Sequence, residues 1–414
     1  MPRAKAAGGG VGGRGDVTWR TWDASRFAIF PWYRHRTRSW MQSTIEVRGV
    51  PGGRRGAMEN GILAAMARGG FERVLALHDR RSGVRGYMAI HDTSVGPALG
   101  GVRRWVYRSD EEALRDCMRL ARAMTLKCCL GGVDAGGVKT VLLDHPEVDW
   151  EAAYEYLGRV IEGLGGVVSC GPDVGTGERE LAWIARETHH VTRPGARGPG
   201  RLSAATAEGV FRGMQAALEH LDGEADWPRR HVVIQGLGAV GRVLAERLLG
   251  AGVRGAGTEL DPERAGAAEE LGVELLDPTR ELGEECDVFA PCALGGILHD
   301  LSIPRLRARI IAGSANNPLA RGGHADALHE RGVLYVPDFV ISAGALMRGA
   351  HFHLERRRKP LGHIGERIGA TVQGVLERAA AEGSSPQRLA VHEAERLLEE
   401  RRADPLPAEP LAPS

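Results

Sequence analysis

The segment His231-Val-Val-Ile-Gln235 is a short apolar, β-branched run, and Gly236-Leu237-Gly238-Ala239-Val240-Gly241 follows it directly. Residues 242–249 then continue in a helical pattern. Gly236 permits a tight turn out of the strand, Gly238 lets the backbone approach a pyrophosphate, and Gly241 allows the helix to pack closely on the strand. The helix N-terminus presents its unpaired N–H groups to the anion. A lone G-x-G-x-x-G means little in a chain with 58 glycines, where a structural Gly-rich turn is the plain alternative. The flanking strand and helix supply the context that dinucleotide binding requires. The second strand should end near Thr258-Glu259-Leu260, which puts Glu259 23 residues after Gly236. A carboxylate there accepts from a ribose 2′-OH and repels a 2′-phosphate, so NAD is favoured over NADP, with Asp261 a weaker candidate. The expected cofactor contacts are Gly236, Leu237, Gly238, Ala239, Val240, Gly241, Arg242 and Glu259 of a Rossmann domain.

The chain has 414 residues, enough for two to three domains at roughly 150 residues each. Its net charge of +1, from 54 Lys+Arg against 53 Asp+Glu, gives no reason to expect a nucleic-acid or acidic-membrane partner. That balance hides an asymmetry. Residues 1–57 hold 11 basic and three acidic residues, a net of +8, so the remainder carries −7. This leader is Gly- and Arg-rich and aperiodic, and it reads as a disordered or non-native N-terminal extension, with the folded part starting near Met58. Residues 404–414 read as a flexible tail. The six cysteines show no C-x-x-C pair and no metal-ligand spacing, which points to a reducing cytoplasm and no metal. No apolar run of about 18 residues could span a membrane, and no apolar signal-peptide core is present.

After Met58 the patterns become regular. Ser109 and Glu112 form a capping box ahead of Ala113, Leu114, Cys117, Met118, Leu120, Ala121 and Met124, which recur at helical spacing. Short apolar runs at 87–90, 138–143 and 167–170 read as strands, and 150–164 and 210–218 as helices. Two amphipathic helices close the chain, one carrying Ile364, Ile368, Val372, Leu376 and Ala379, the other Leu389, Ala390, Ala394 and Leu397.

Two lysines stand in apolar, Gly- or Cys-flanked settings, in Ala-Met-Thr-Leu-Lys127 and Gly136-Gly-Val-Lys139. Desolvation there lowers a lysine pKa and can make the amine a base near neutrality, although two solvated surface charges remain the simpler reading of spacing alone. Further motifs surround them: residues 90–103 (Ile-His-Asp-Thr-Ser-Val-Gly-Pro-Ala-Leu-Gly-Gly-Val-Arg), Gly171-Pro-Asp173-Val-Gly-Thr176, Ala290-Pro-Cys-Ala-Leu-Gly295 and Ala312-Gly-Ser-Ala-Asn-Asn317. Together with the lysine segments they resemble the leucine/phenylalanine/valine dehydrogenases, a branch of the glutamate dehydrogenase superfamily, in order and spacing from about Met58 to the C-terminal helices.

The resemblance implies an NAD-dependent oxidative deamination of an apolar L-amino acid to its 2-oxo acid and ammonia, reversibly. Lys139 would activate water, Asp173 would transfer protons, and Lys127 would hold the α-carboxylate with help from backbone at Gly100 and Gly101. Thr206 would position the nicotinamide carboxamide, with Cys292 and Ala293 beside the cofactor, and Asn316 would sit where substrate and cofactor meet. The side-chain pocket would be lined by Leu99, Met124, Gly171, Leu346 and Gly349, with no cation for a γ-carboxylate, so glutamate is disfavoured. Ser342 and Ala345 stand where family members usually show Asn and Gly, and Pro172 is also a departure. The implied α/β architecture has a substrate and oligomerisation domain at 58–205, completed by helices from 350 to 403, and a Rossmann NAD-binding domain at 206–349, in a homo-oligomer. A catalytically silent, NAD-sensing or scaffolding descendant is the alternative, and retention of Lys127, Lys139 and Asp173 together argues against it. A hydroxy-acid dehydrogenase would want a catalytic histidine and an arginine clamp instead of paired lysines. His91, His189, His190, His351 and His353 read as ordinary polar residues, Cys292 as a packed thiol, and Arg356-Arg-Arg-Lys359 as a solvated turn or oligomer rim.

Overall fold

The computed structural model describes residues 61–193, 198–293 and 295–403, so the expectations for the leader 1–57, for a start at Met58 and for the tail 404–414 lie outside the described residues. Strands β1 (Arg73–His78), β2 (Arg85–Asp92), β3 (Ala98–Trp105), β4 (Gly136–Leu143) and β5 (Val168–Gly171) form a sheet in the order β1-β2-β4-β3-β5. The pairs β1–β2 and β2–β4 are antiparallel, whereas β3 runs parallel to both β4 and β5. The accompanying helices are α1 (Ile62–Gly69), α2 (Asp110–Gly131), α3 (Trp150–Gly163) and α4 (Glu178–Ile184). Strand β4 is buried along nearly its whole length and divides its side chains between two cores. Val138 and Leu142 join Tyr154, Leu157 and Ile161 of α3, while Val141 joins Ala113, Cys117 and Ala121 of α2. Side chains alternate along a strand, so Lys139 shares the α2 side with Val141.

Ser109 caps α2 by accepting from the Glu112 N–H at 3.2 Å. The reciprocal bond is displaced by one residue, because the Glu112 carboxylate accepts from the Arg108 N–H at 2.9 Å.

The second sheet is wholly parallel. After α5 (Leu202–Asp222) come β6 (His231–Gln235), α6 (Gly241–Gly250), β7 (Arg254–Thr258), α7 (Pro262–Glu270), β8 (Glu274–Leu275), β9 (Cys286–Pro291), β10 (Ala308–Ile311), α8 (Gly323–Glu330) and β11 (Leu334–Tyr335). Their order is β11-β10-β9-β6-β7-β8, a doubly wound sheet whose strand order reverses between β6 and β9. Val232, Val233 and Ile234 are buried, as a strand covered on both faces requires. Four helices end the described chain: α9 (Asp338–Ile341), α10 (Gly344–Glu355), α11 (Leu361–Glu382) and α12 (Pro386–Ala403). One apolar cluster runs from the end of α2 through α5 and α9 to α12, reaching Val232, Ile234, Val288 and Ile310 of the parallel sheet. From α12, Arg402 reaches back to the first sheet and pairs with the buried Asp92 at 2.6 Å.

His91 on β2 ties that strand to two helices. Its Nε2 lies 3.1 Å from Gly69 O and its Nδ1 2.8 Å from Thr125 Oγ1. A carbonyl can only accept, so Nε2 carries the proton and the threonine hydroxyl donates to Nδ1. Burial pushes the His91 pKa down to about 4, so the folded chain resists a proton that the unfolded chain takes up near pH 6.5. The stabilisation is therefore complete above about pH 6.5 and lost as pH falls toward 4, an amount of roughly 3 kcal/mol. Denaturant titrations across this window should show that loss, and His91→Gln should reduce the slope by its share. An equal slope in the variant would assign the effect to other groups, of which His353, lowered to about 4 by burial, is the first.

Candidate active site

The two sheets meet around a cavity of about 260 Å³. Its wall takes Leu99, Gly100 and Gly101 from β3, Met124 and Lys127 from α2, Lys139 from β4 and Asp173 from the loop after β5. The other side supplies Thr206 from α5, Val240 from the glycine-rich turn, Asn316 from the loop after β10, and Leu346 and Gly349 from α10. Only four of the 54 basic residues are lysines, namely Lys5, Lys127, Lys139 and Lys359, and two of those four line this cavity. Arginine cannot give up its proton in a protein, whereas a buried lysine can.

Lys139 Nζ lies 2.5 Å from Asp173 Oδ2. Arg103 Nε donates to the same oxygen at 3.0 Å, and its Nη1 donates to Asp116 Oδ2 at 3.0 Å. Asp116 also accepts from Tyr107 Oη at 2.7 Å and from Arg119 at 2.7 Å. The result is an alternating row of charges running inward from the surface end of Arg119. Burial by itself would raise the Asp173 pKa, but Lys139 and Arg103 more than reverse this and hold the carboxyl well below the usual carboxylate range. Asp173 therefore stays ionised and divides its charge between two cations.

Lys127 Nζ donates to Asn316 Oδ1 at 3.2 Å and to Ser342 Oγ at 3.1 Å. Burial lowers its pKa, opposed by the charge of Asp338 and assisted by that of Lys139. Ser342, a departure from the usual pattern, thus still supplies an acceptor to this lysine. What brings α2 so close to the sheet is Gly137 beside Lys139. A Cβ there would lie 2.3 Å from Ala121 O and 2.4 Å from Thr125 N. Thr206 Oγ1 accepts from the Ala345 N–H at 3.2 Å and donates to Leu202 O at 3.3 Å, which stitches α5 to α10 at the cavity wall.

Most of the glycine-rich turn stands outside the cavity wall and opens onto it through Val240. Gly236 adopts φ +87°, and its N–H donates to Thr258 O at 2.8 Å. Leu237 is buried, so it offers backbone rather than side chain, and its N–H donates to Glu259 Oε2 at 3.0 Å. The other carboxylate oxygen of Glu259 accepts from Leu260 and Asp261 N–H groups at 2.9 and 3.1 Å. Gly241 is required by the fold itself, since a Cβ there would sit 2.0 Å from Gly236 O. Gly238 is different. Among the described residues a Cβ there would meet only Arg264 Nη1, at 3.4 Å, which leaves open the space above this backbone, as a pyrophosphate cradle does. Ala239 continues the turn, and Arg242 pairs with Glu246 at 2.7 Å along α6. Cys292 donates its backbone N–H to Gln235 O at 2.8 Å across the switch point, and Ala293 packs against Gly236. Burial pushes the Cys292 thiol up, as suits a packed sulfur rather than a nucleophile.

Sequence reasoning did not single out Arg103, Asp116 or Tyr107, nor Ser169 and Thr192 of the cavity wall, and it read His353 of that wall as an ordinary polar residue. Arg103 lay within a quoted motif, yet nothing local distinguishes a buried arginine from a solvated one. Among the described residues no cluster of His, Cys, Asp and Glu could hold a metal ion, and no helix is long and apolar enough to cross a membrane.

Residues 72–190 match the Glu/Leu/Phe/Val dehydrogenase dimerisation domain, and residues 263–350 match the Glutamate/Leucine/Phenylalanine/Valine dehydrogenase model. Leucine dehydrogenase of Geobacillus stearothermophilus is 43% identical over 306 residues, 72% of this chain and 83% of that one. Valine dehydrogenase of Streptomyces virginiae is 36% identical over 360 residues, 84% of this chain and 98% of that one. The crystal structure of L-tryptophan dehydrogenase from Nostoc punctiforme superposes with a TM-score of 0.71 at 32% identity, over 83% of this chain and 100% of that one. With paired lysines and an aspartate gathered between a mixed sheet and a doubly wound parallel one, the chain belongs to the Glu/Leu/Phe/Val dehydrogenase family and is an amino-acid dehydrogenase acting on a CH–NH2 group.

Proposed function

We propose that the chain catalyses the reversible, NAD-dependent oxidative deamination of an apolar L-amino acid, of leucine, valine or phenylalanine type, to its 2-oxo acid and ammonia. The observation that carries this reading is the contact of Lys139 with Asp173, buried in a cavity that also opens onto the glycine-rich turn. Lys127 has three N–H donors and spends two on Asn316 and Ser342, so one remains for the substrate α-carboxylate. A nicotinamide held by the glycine-rich turn and Thr206 would supply the acceptor for the hydride that leaves the substrate α-carbon as the iminium forms. Lys139 must first give up its own proton, and its amine then takes one from the water that adds to the iminium carbon. The Asp173 carboxylate relays that proton from Lys139 to the departing nitrogen, and as the carbinolamine collapses its hydroxyl proton passes back to Lys139 while ammonia and the 2-oxo acid leave. Leu99, Met124 and Leu346 keep the cavity wall apolar and exclude competing water.

In the same reading, residues 58–205 with 350–403 hold the substrate and build a homo-oligomer, residues 206–349 hold NAD, and six free cysteines suit a reducing cytoplasm. The test is turnover of leucine, valine, phenylalanine and glutamate with NAD, followed by cofactor reduction. Turnover of apolar amino acids without glutamate is expected, and none with any apolar amino acid would overturn the reading. Glu259→Ala should cut the NAD over NADP preference by about tenfold or more, through loss of the carboxylate that accepts from a ribose 2′-OH. Equal use of both cofactors by the parent would remove Glu259 from cofactor choice.

A further inference from the structure

We propose that the side-chain end of this cavity is built for an aromatic amino acid whose ring carries an N–H or O–H at its far edge, the chemistry of tryptophan and tyrosine, rather than for a branched aliphatic one. This rests on the amino-acid dehydrogenase reading and narrows its substrate. Ser169 on β5 is 5% exposed, lines the cavity, and has no hydrogen-bond partner for its Oγ among the described residues. It pairs in register with Leu99 on β3, so the hydroxyl stands beside an apolar wall residue on the same face of the sheet. Thr192 Oγ1 and His353 Nε2 line the same cavity, 3.0 Å apart. An aliphatic guest would leave Ser169 Oγ dry and without a partner, which buried polar groups rarely are, and would offer nothing to the remaining lone pair of Thr192.

Two glycines give a guest access to that polar end. Gly171 shares the Ser169 face of β5, and a Cβ there would lie 3.2 Å from Thr192 Oγ1 and cover it. Gly349 lies one turn before His353 on α10, and a Cβ there would meet nothing within 4 Å among the described residues. The path from Gly349 to the imidazole is therefore open to a ring that branched aliphatic side chains are too short to fill. Burial keeps His353 neutral near pH 7, so the pair offers a hydrogen bond without calling for a charged guest. Whichever of Thr192 and His353 donates to the other, the threonine hydroxyl keeps an acceptor lone pair for a ring N–H or O–H.

The experiment compares kcat/KM of the full chain with NAD for leucine, phenylalanine, tyrosine and tryptophan. Tyrosine or tryptophan should exceed both phenylalanine and leucine by about tenfold or more, since a site built to hydrogen-bond rejects the analogue lacking the group. The tryptophan and tyrosine arms decide between N–H and O–H. Phenylalanine or leucine equal to or above both would overturn the proposal. In Thr192→Val and Ser169→Ala, which change little volume, the ratio to phenylalanine should fall toward one. An unchanged ratio in both would overturn it as well. Calorimetric binding of indole-3-pyruvate, 4-hydroxyphenylpyruvate and phenylpyruvate to the NADH-loaded protein reads the subsite apart from chemistry. Absent turnover with the first two bound more tightly would sink the dehydrogenase reading and leave the subsite standing.

Discussion

Lys139→Met should bind NADH as the parent does while kcat for oxidative deamination falls by about three to four orders of magnitude, the upper range for a positioned proton-transfer group. Methionine keeps the unbranched apolar stem and lacks the amine, and Arg103 remains 3.0 Å from Asp173 to pair the carboxylate left behind. A fall of less than about tenfold would take Lys139 out of the chemistry. Asp173→Asn is the companion variant, and its two effects separate by pH. The Asp173 carboxyl titrates well below the usual carboxylate range in the folded chain, because Lys139 and Arg103 outweigh the burial that would raise it. Its contribution to stability is thus fully present above about pH 4 and lost only as pH falls through the depressed folded pKa. The stability deficit of Asp173→Asn should therefore stay constant between about pH 5 and 9, on the order of 3 kcal/mol or more, since two cations then lie buried without their carboxylate. Turnover should be lost across the same range. A deficit that grows toward alkaline pH would show that the carboxyl titrates inside that window.

What was legible in the sequence was local. The glycine-rich turn, the buried strand before it and the helix after it are set by residues within twenty positions of each other, and β6 and α6 occupy those places. Ser109 was legible as a cap for the same reason. Strand β3 was not, because Pro97, Gly100 and Gly101 look like loop until β4 and β5 supply partners on both sides. Helix α5 begins at Leu202, well before the apolar pattern at 210, since its first turns are held by tertiary contact such as the Ala345 N–H on Thr206. The charged row around Asp173 depended on distance in sequence. Arg103 and Asp173 are 70 residues apart, and Thr192 and His353 are 161 apart. Side chains that matter only through such a partner carry no mark of it along the chain.

Gly100 and Gly101 show where that limit falls, because the sequence offers no ground to tell them apart and both were assigned to the substrate carboxylate. Neighbours on a strand face opposite ways. A Cβ on Gly100 would sit 1.7 Å from Val138 O and 2.7 Å from Val138 C. This is backbone of β4, which is fixed by β2 on one side and β3 on the other, so it has nowhere to move. Gly100→Ala should therefore destabilise the fold by more than about 4 kcal/mol, beyond the ordinary range for a point substitution, and abolish the cooperative thermal transition at physiological temperature. A Cβ on Gly101 would instead lie 2.8 Å from Pro172 O, 3.0 Å from Asp173 Cβ and 3.3 Å from Lys139 Nζ. Those atoms belong to a loop and a side-chain end that can shift by a few tenths of an ångström. Gly101→Ala should fold with a near-parental thermal transition and lose about a hundredfold in kcat/KM, the scale expected when a reacting pair is displaced. Scanning calorimetry and steady-state kinetics on the two variants separate the roles. If both alanines unfold the chain, or both leave activity intact, the division between a glycine that seats the strand and a glycine that seats the reacting pair is wrong.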